Sequence, residues 1–578
     1  MAQVDLVIRG GVVFDGTGGA PVLADIAIDG GRIVEVGAVK ATGREEIDAR
    51  GLMVTPGWVD IHTHYDGQMT WDARMTPSST LGATTIVAGN CGVGFAPARP
   101  SDHDTLIRLM EGVEDIPGAA LHAGLSWRWE SFGEYLNAVE RQPHDIDVAV
   151  QAPHGALRVY VMGERGARRE PATEAEIAQM RDLVRDAVKA GAIGFSTTRT
   201  MVHRTADGDL TPTLGAARAE MVGISEGLRE AGSGVLQVAS DFAEIDEEFD
   251  LMCELTKVSG QMLSFSLVQA DVVPDRWRQL LERLETAVAN GINMKAQVAG
   301  RPVGLMLGLQ GSAHPFISRP SYQEIIDKPL AEKVAIMGDP AFRARLIAEA
   351  PMKGHPFINS LAGAHHKMFE LGDPPNYEPD PKDSLGAKAK AMGVNPDELV
   401  YDALIADDGK GFLYFPMHNY FEGDLENVRT MLEHPDTLSG LSDGGAHVGA
   451  ICDVSLPTYM LTHWCRDRTR GPKLDLAEVI RGQTKDTAEA VGLLDRGVLK
   501  PGYLADVNVI DFDRLQLKPP HMVYDLPTGA RRLMQEADGY VATIKSGQVI
   551  YRNGEATDAL PGKLIRGRAA SPERLAAE

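Results

Sequence analysis

The residues with the clearest chemical potential are two histidines separated by one position. Residues 60–64 read Asp-Ile-His-Thr-His, which places His62 and His64 in one short segment. Alternate side chains of a strand point to the same side, so both imidazoles would face one point. Neutral imidazoles that converge in this way can bind zinc. The alternative is a pair of solvated or core histidines, because this spacing is common in proteins.

Two further residues could complete a metal site. Asp443 follows the apolar Leu441 and precedes two glycines, so its carboxylate could approach a metal or the water bound to it; a turn or N-cap aspartate is the alternative. Cys91 lies in Ala-Gly-Asn-Cys-Gly, residues 88–92, where a thiolate would be a good zinc ligand. Cys91 could alternatively be a small buried residue of the core or a nucleophile. The other cysteines are expected to be structural: Cys253, Cys452 and Cys465.

Eight short apolar segments could form the strands that position these residues. Their apolar character is typical of a sheet buried on both faces. The clearest helix is predicted from Thr173 to Ala190, with Glu176 at capping-box spacing from Thr173 and Gly191 at the end. Eight strands that alternate with helices favour a (β/α)₈ TIM barrel. The predicted strands are 54–62, 83–88, 146–152, 192–197, 235–239, 263–268, 292–298 and 437–441.

Both ends of the chain show the alternation of antiparallel strands. The segments are 5–8, 12–14, 26–28, 33–36, 505–510, 541–545 and 549–551. We therefore expect a β-sandwich domain from residues 1–53 and 495–578, joined to a barrel from 54–299 and 437–494. Residues 300–436 have no clean strand–helix repeat and should form an inserted subdomain after strand seven. Active sites of barrels lie at that end of the strands, so the insertion should cover the site.

Composition restricts the class of partner. The 578 residues include 57 basic and 81 acidic side chains, a formal net charge of −24. Such a field repels phosphate backbones and anionic membranes, which argues against nucleic acid and membrane partners. No run of eighteen apolar residues is present. Four cysteines in so long a chain do not form a disulfide framework, so we expect a cytoplasmic enzyme acting on a small molecule, and a homo-oligomer is allowed.

Taken in order, seven segments resemble the amidohydrolase superfamily, and within it the D-aminoacylase (N-acyl-D-amino-acid deacylase) branch. The resemblance implies hydrolysis of a linear amide C–N bond by a hydroxide on a metal at the barrel mouth. It also implies that His62, His64 and Cys91 bind the metal, and that Asp443 both binds it and shuttles the proton. The segments are residues 10–21, 54–66, 82–97, 154–163, 190–197, 441–447 and 495–511.

The sequence departs from this branch at the second metal position. The branch places a histidine at the ends of strands five and six, whereas residues 235–242 and 264–271 contain none. No lysine lies at the end of strand four, residues 195–200. We therefore expect one tightly bound Zn²⁺ held by His62, His64 and Asp443, with Cys91 as a further ligand. Other histidines are expected elsewhere: His365 and His366 in a solvated turn, His418 in a core.

Three residues near predicted strand ends could contact a substrate. Arg199 and Arg301 could pair with a carboxylate or could form structural salt bridges. His154 could touch substrate or could be a core histidine. The leading hypothesis is hydrolysis of N-acyl amino acids or related linear amides. A cyclic-amide hydrolase or deaminase on the same scaffold is an alternative, and so is a metal-binding pseudoenzyme, which the two missing histidines would favour.

Overall fold

The computed structural model describes residues 3–353 and 356–577, and a closed parallel barrel forms its centre. Eight strands pair in chain order, each parallel to the next. The barrel closes beyond the last strand, where Thr63 bridges Gly444 and the His64 amide donates to the Gly444 carbonyl at 2.8 Å. The strands are Trp58–Asp60, Ala83–Ala88, Asp147–Pro153, Gly194–Arg199, Leu236–Ser240, Leu263–Leu267, Met294–Val298 and Thr437–Ser439. The predicted (β/α)₈ barrel is confirmed.

Helices follow the strands and cover the outside of the barrel. The predicted helix is present as Glu174–Ala190, with the Thr173–Glu176 capping box formed and Gly191 ending it at φ 124°. The other barrel helices are His103–Glu114, Gly118–Gly124, Phe132–Arg141, His154–Met162, Glu164–Ala167, Arg218–Ala231, Ile245–Ser259, Arg276–Ala289, Glu426–Leu432, Leu456–Tyr459, Leu476–Gly482 and Lys485–Ala490, with a π-helix at Met460–Asp467. Strands and helices share one large buried apolar core.

The predicted first strand, 54–62, is wrong at its beginning. Met53–Pro56 belongs to the terminal sheet, and the barrel strand is Trp58–Asp60. Gly57 separates them and lies so close to Thr84 that a Cβ there would be 2.2 Å from the threonine Cγ2. Because both strands are buried and apolar, hydrophobicity alone could not divide the run.

Strands from both ends of the chain form one nine-stranded sheet. Its longest strand, Gln3–Val13, pairs with Val22–Asp29 along one edge. Along the other edge it pairs first with Thr42–Asp48 and then with Met53–Pro56, so the sheet forks. The remaining strands are Arg32–Gly37, Val507–Ile510, Tyr540–Lys545, Gln548–Arg552 and Glu555–Ala556. The exact domain boundaries stay a prediction.

The segment after strand seven has its own small sheet and core. Gly304–Leu307 and Phe369–Glu370 pair antiparallel with Leu413–Pro416. A second apolar cluster lies around this sheet. Its helices are Pro320–Gln323, Leu330–Met337, Pro340–Ala348, Pro356–Leu361, Leu385–Met392 and Pro396–Gly409. Within the described ranges, no helix is long and apolar enough to cross a membrane.

Candidate metal centre

The first barrel strand delivers both histidines to the open end of the barrel. His62 and His64 follow Trp58–Asp60 directly and are 1% and 2% exposed. Their backbones are held by strand eight, since the Asp443 amide donates to the His62 carbonyl at 3.2 Å. Gly445 packs against the same segment, where a Cβ would lie 3.1 Å from the His64 carbonyl. Gly445, the second glycine after Asp443, thus permits close contact between the two segments.

Cys91 joins the two histidines at one point. The donor atoms of His62, His64 and Cys91 all lie within 4.8 Å of one another. The Cys91 Sγ is 3.4 Å from the His62 Nε2. The loop after strand two achieves this by holding Cys91 at φ 53°, in the left-handed region. Two imidazoles and a thiol so arranged match the preference of zinc for nitrogen and sulfur ligands.

Asp443 lies on the more accessible side of these three residues. Its Oδ1 is 3.4 Å from the His62 Nε2 and 3.7 Å from the His64 Nε2. Its side chain is 16% exposed, against 1% for each imidazole. Asp443 is therefore the member of the group that a ligand entering from the barrel mouth can reach.

Burial favours the neutral form of both imidazoles, which is the form that binds a metal. Burial lowers the pKa of His62, although the nearby Asp443 opposes this. Burial, together with His62 and His447, lowers the pKa of His64 well below its ordinary value. Burial and the charges of Glu114 and Asp443 raise the pKa of the Cys91 thiol.

Three residues that the sequence analysis did not select orient the group. The Gln297 Oε1 lies 2.7 Å from the His62 Nδ1, which directs the free Nε2 towards Cys91 and Asp443. The Gln237 Oε1 accepts from the Cys91 amide at 2.8 Å. The Glu114 Oε1 lies 3.1 Å from the His64 Nδ1. The glutamines could have been noticed as polar residues in buried strands, but nothing in the sequence links Glu114 to His64.

Two more histidines, His203 and His447, also lie at this end of the barrel. The His447 Nε2 is 3.7 Å from the Glu114 Oε2. Burial and the charges of His447 and His62 lower the pKa of His203 to about 3. They come from the loops after strands four and eight, so they add imidazoles to the barrel mouth although strands five and six carry none.

The buried carboxylates provide an independent test of whether a cation fits. The Glu114 Oε2 and the Asp66 Oδ2 have no hydrogen-bond partner among the described residues. Each of these side chains is 1% exposed. Burial raises the pKa of Asp66 to about 7 and that of Glu114 well above its ordinary value. Uncompensated buried acids beside neutral nitrogen and sulfur donors fit a bound cation, which would stabilise their charged forms.

The family of the chain follows from comparison with known proteins. A model described as "Amidohydrolase family" matches residues 45–551. The chain belongs to the amidohydrolase family. It is therefore a metal-dependent enzyme that hydrolyses C–N bonds other than peptide bonds, as the motifs predicted.

Relatives of this amidohydrolase agree with the predicted D-aminoacylase-like branch. An uncharacterised protein of Mycobacterium tuberculosis is 28% identical over 95% of this chain and 92% of its own length. The D-aminoacylase of Alcaligenes xylosoxydans xylosoxydans is 37% identical over 33% of this chain and 37% of its own. The N-acyl-D-glutamate deacylase of Bordetella bronchiseptica, solved with zinc and a phosphonate inhibitor, shares the fold, with a TM-score of 0.64, 21% identity and coverage of 98% and 100%.

The two arginines that could have contacted a substrate instead form ion pairs within the protein. Arg199 forms two bonds to the Glu248 carboxylate, at 2.6 and 2.8 Å. Arg301 is fully buried, bonds Asp453 at 2.9 Å, and stacks on Tyr377 at 3.8 Å. The structure favours the structural salt-bridge alternative for both.

His154 is likewise enclosed. Its Nδ1 lies 2.8 Å from the Thr197 Oγ1 and its Nε2 lies 2.8 Å from the Glu220 Oε1. The side chain is fully buried. These contacts favour the core-histidine interpretation, and a direct substrate contact has no support in the geometry.

The other histidines and cysteines that the sequence analysis considered lie outside the cluster of His62, His64 and Cys91. His365 bonds Asp397 at 2.7 Å within the insertion and is half-buried, so the predicted solvated turn is wrong for it. The neighbouring Lys367 pairs with Asp271 at 2.6 Å. His418 is buried, and burial lowers its pKa to about 4. All four cysteines lie in the described ranges, and none forms a disulfide.

Proposed function

We propose that this amidohydrolase cleaves a linear amide bond in a small N-acylated compound such as an N-acyl amino acid. The observation that carries the proposal is the convergence of His62, His64 and Cys91 within 4.8 Å, with the Asp443 carboxylate beside them on the accessible side. Three relatives that match about a third of the chain support the substrate class by their names, which are D-aminoacylase, N-acyl-D-aspartate deacylase and N-acyl-D-glutamate deacylase.

We propose that His62, His64, Cys91 and Asp443 hold one Zn²⁺. Imidazole and thiolate donors favour zinc over harder cations. When bound, such an ion polarises a carbonyl and lowers the pKa of water. The Bordetella deacylase was solved with zinc, which makes zinc the first metal to test.

Asp443 is proposed to move the proton. Its accessible carboxylate would take a proton from the attacking water and deliver it to the leaving nitrogen. Both imidazoles are buried, and the Gln297 side chain holds the His62 ring in place, so neither is free for that role. Asp443 would accordingly be the catalytic residue, with His62 and His64 binding the metal.

The first test combines metal content with product analysis. We expect the purified protein to contain about one zinc per chain and to release amino acid from N-acetyl D- or L-amino acids in preference to hydantoins or lactams. His62→Ala should lose metal and activity together. Asp443→Asn should lower kcat by about 10²- to 10⁴-fold, the usual contribution of a general acid–base group.

The matched control is His521→Ala, which removes an exposed histidine of the same chain. It should change neither metal content nor rate. Faster cleavage of cyclic amides, or a His62→Ala protein that keeps its metal and its activity, would refute the proposal.

A further inference from the structure

The loop that follows strand four, residues 200–217, begins beside the candidate metal centre. The last residues of strand four lie against Gly92, the neighbour of Cys91, since a Cβ on Gly92 would be 3.2 Å from the Thr198 nitrogen. The Met201 amide then donates to the Asp241 carboxylate at 2.7 Å, which ties the loop to the end of strand five. The start of the loop is therefore fixed close to one of the candidate ligands.

The same loop is fixed a second time on the helix His103–Glu114, which follows strand two. The two lie so close that a Cβ on Gly112 would be 2.1 Å from the Thr205 carbonyl carbon. Glu114, the last residue of this helix, is the carboxylate beside His64. The loop therefore passes from the thiol side of the metal centre to the side of Glu114.

His203 lies between these two fixed points. Within the described part of the chain, the only hydrogen bond of its ring joins Nδ1 to the Thr198 Oγ1, at 3.1 Å. Besides burial, the charges of His62, His447 and His203 all lower the pKa of His64, so His203 lies within electrostatic range of the candidate ligands. The ring is thus held at the barrel mouth by one nitrogen, and its Nε2 is left without a partner among the described residues.

The position of the His203 proton follows from Thr198. This threonine is 1% exposed, and among the described residues the His203 Nδ1 is the one partner of its hydroxyl. A buried hydroxyl that donated to nothing would cost free energy, so it donates to Nδ1. A neutral imidazole that accepts at Nδ1 carries its proton on Nε2. His203 therefore presents an unused N–H donor at the mouth of the barrel.

We propose that His203 is a second catalytic residue, which donates a hydrogen bond from Nε2 to the oxygen of the scissile carbonyl. This inference rests on the proposed amide hydrolysis for its substrate. The carbonyl oxygen gains negative charge as water adds to the carbon, so a fixed donor stabilises the transition state more than the bound substrate. The other loop histidine of the mouth, His447, is less available because its Nε2 lies 3.7 Å from the Glu114 carboxylate.

Binding is measured first, without turnover. Methylphosphonate, whose tetrahedral oxygens resemble those of the carbonyl carbon after water has added, is titrated into zinc-loaded protein by calorimetry. His203→Ala should weaken its binding by about tenfold or more, the loss expected for a hydrogen bond to a charged group, while the zinc content stays at the wild-type value. His203→Gln should recover part of the loss because its amide can donate. Val202→Ala is the matched control, since this neighbouring side chain of the loop is 65% exposed, and it should bind as the wild type does.

Hydrolysis of N-acetyl D- and L-amino acids is then measured with the same variants. His203→Ala should lower kcat by about 10²- to 10³-fold and change KM little, as for the loss of a donor that acts in the transition state. Thr198→Val, which keeps the shape of the side chain but removes the hydroxyl that holds Nδ1, should give a smaller loss of kcat. A histidine with a merely structural role would instead lower the midpoint of thermal unfolding and leave kcat per zinc-loaded molecule unchanged.

Failure of this inference can be told apart from failure of the proposed function. Weaker methylphosphonate binding by His203→Ala at unchanged zinc content supports the donor at the centre, even if no N-acetyl amino acid is cleaved, in which case the proposed function alone fails. The inference is overturned if methylphosphonate binds the wild type and His203→Ala equally or binds neither, or if His203→Ala keeps the wild-type kcat. Loss of zinc from His203→Ala would also overturn it, because His203 would then be a metal ligand.

Discussion

At the scale of single residues, the site depends on unusual backbone conformations. Cys91, Asp443 and His447 have φ values of 53°, 50° and 49°. This left-handed region is uncommon for residues other than glycine and costs free energy. Three such residues around one candidate centre indicate that the surrounding packing holds the side chains in place for a function.

Glu114 should position His64 for metal binding. Its carboxylate lies 3.1 Å from the His64 Nδ1, which has no hydrogen-bond partner among the described residues. Glu114 is therefore placed to accept that proton, and leave Nε2 for the metal, once a bound ion orients the ring. We expect Glu114→Ala to weaken zinc binding by about 10- to 100-fold, measured by competition with a chelator. Glu114→Gln should recover part of the loss because its amide oxygen can still accept. Glu111→Gln, on the same helix, should bind as tightly as the wild type; an equal loss in both variants would argue against a specific role.

Cys91 can be tested as a ligand by spectroscopy. Replacing zinc with Co²⁺ should give a thiolate-to-cobalt charge-transfer band in the near ultraviolet if Cys91 coordinates. Cys91→Ser should lose this band, whereas Cys452→Ser, at another buried cysteine, should keep it. A band that survives in Cys91→Ser would exclude Cys91 from the ligand set and leave two imidazoles and a carboxylate.

At the scale of elements, strands were predictable where their apolar runs were isolated. Ala83–Ala88 was predicted at its observed bounds, because a run of alanines and β-branched residues ends at Gly89. The bounds of the strand predicted from residue 54 were not correct, because two buried strands that belong to different sheets meet there at Gly57. The convergence of His62 and His64 was predictable from their spacing. Glu114 was not, since a helix and a loop carry it back to His64 over fifty positions of sequence.

The contact between the helices after strands three and four should depend on pH. Burial alone would raise the pKa of Glu220. The hydrogen bonds and charges of His154 and Arg158 outweigh burial, so that the pKa is lowered to about 2. A pKa below that of the unfolded chain stabilises the fold above pH 4.5, and this stabilisation is lost as the pH falls towards 2. A fall from 4.5 to about 2 corresponds to roughly 3 kcal/mol.

Glu220→Gln should therefore lower the free energy of unfolding at pH 7 by about 3 kcal/mol, and denaturant titrations should show a shallower loss between pH 5 and pH 3 than in the wild type. Glu226→Gln, on the same helix and partly exposed, should change stability by less than about 1 kcal/mol. Parallel pH profiles for wild type and Glu220→Gln would contradict the assignment.

At the scale of the whole molecule, the C-terminal segment contacts the barrel at both ends. Its hairpin at residues 521–534 reaches the metal centre, whereas its strand Tyr540–Lys545 reaches the beginning of strand three. There the fully buried Lys545 lies 2.8 Å from both Asp506 and Asp147. Arg496 bonds the same Asp147 at 2.6 Å. A charged network thus joins the terminal sheet to the barrel at the end opposite the site.

Breaking this network should reduce stability without changing the metal centre. Lys545→Met leaves two buried carboxylates with one cation fewer, and such uncompensated charge typically costs about 3–5 kcal/mol. We expect the midpoint of thermal unfolding to fall by several degrees, while zinc content and kcat per folded molecule stay unchanged. Lys518→Met, at an exposed ion pair with Glu536, should leave the midpoint nearly unchanged. If Lys545→Met instead loses zinc at an unaltered midpoint, the two ends of the barrel are coupled, and the terminal sheet acts on the site as well as on the fold.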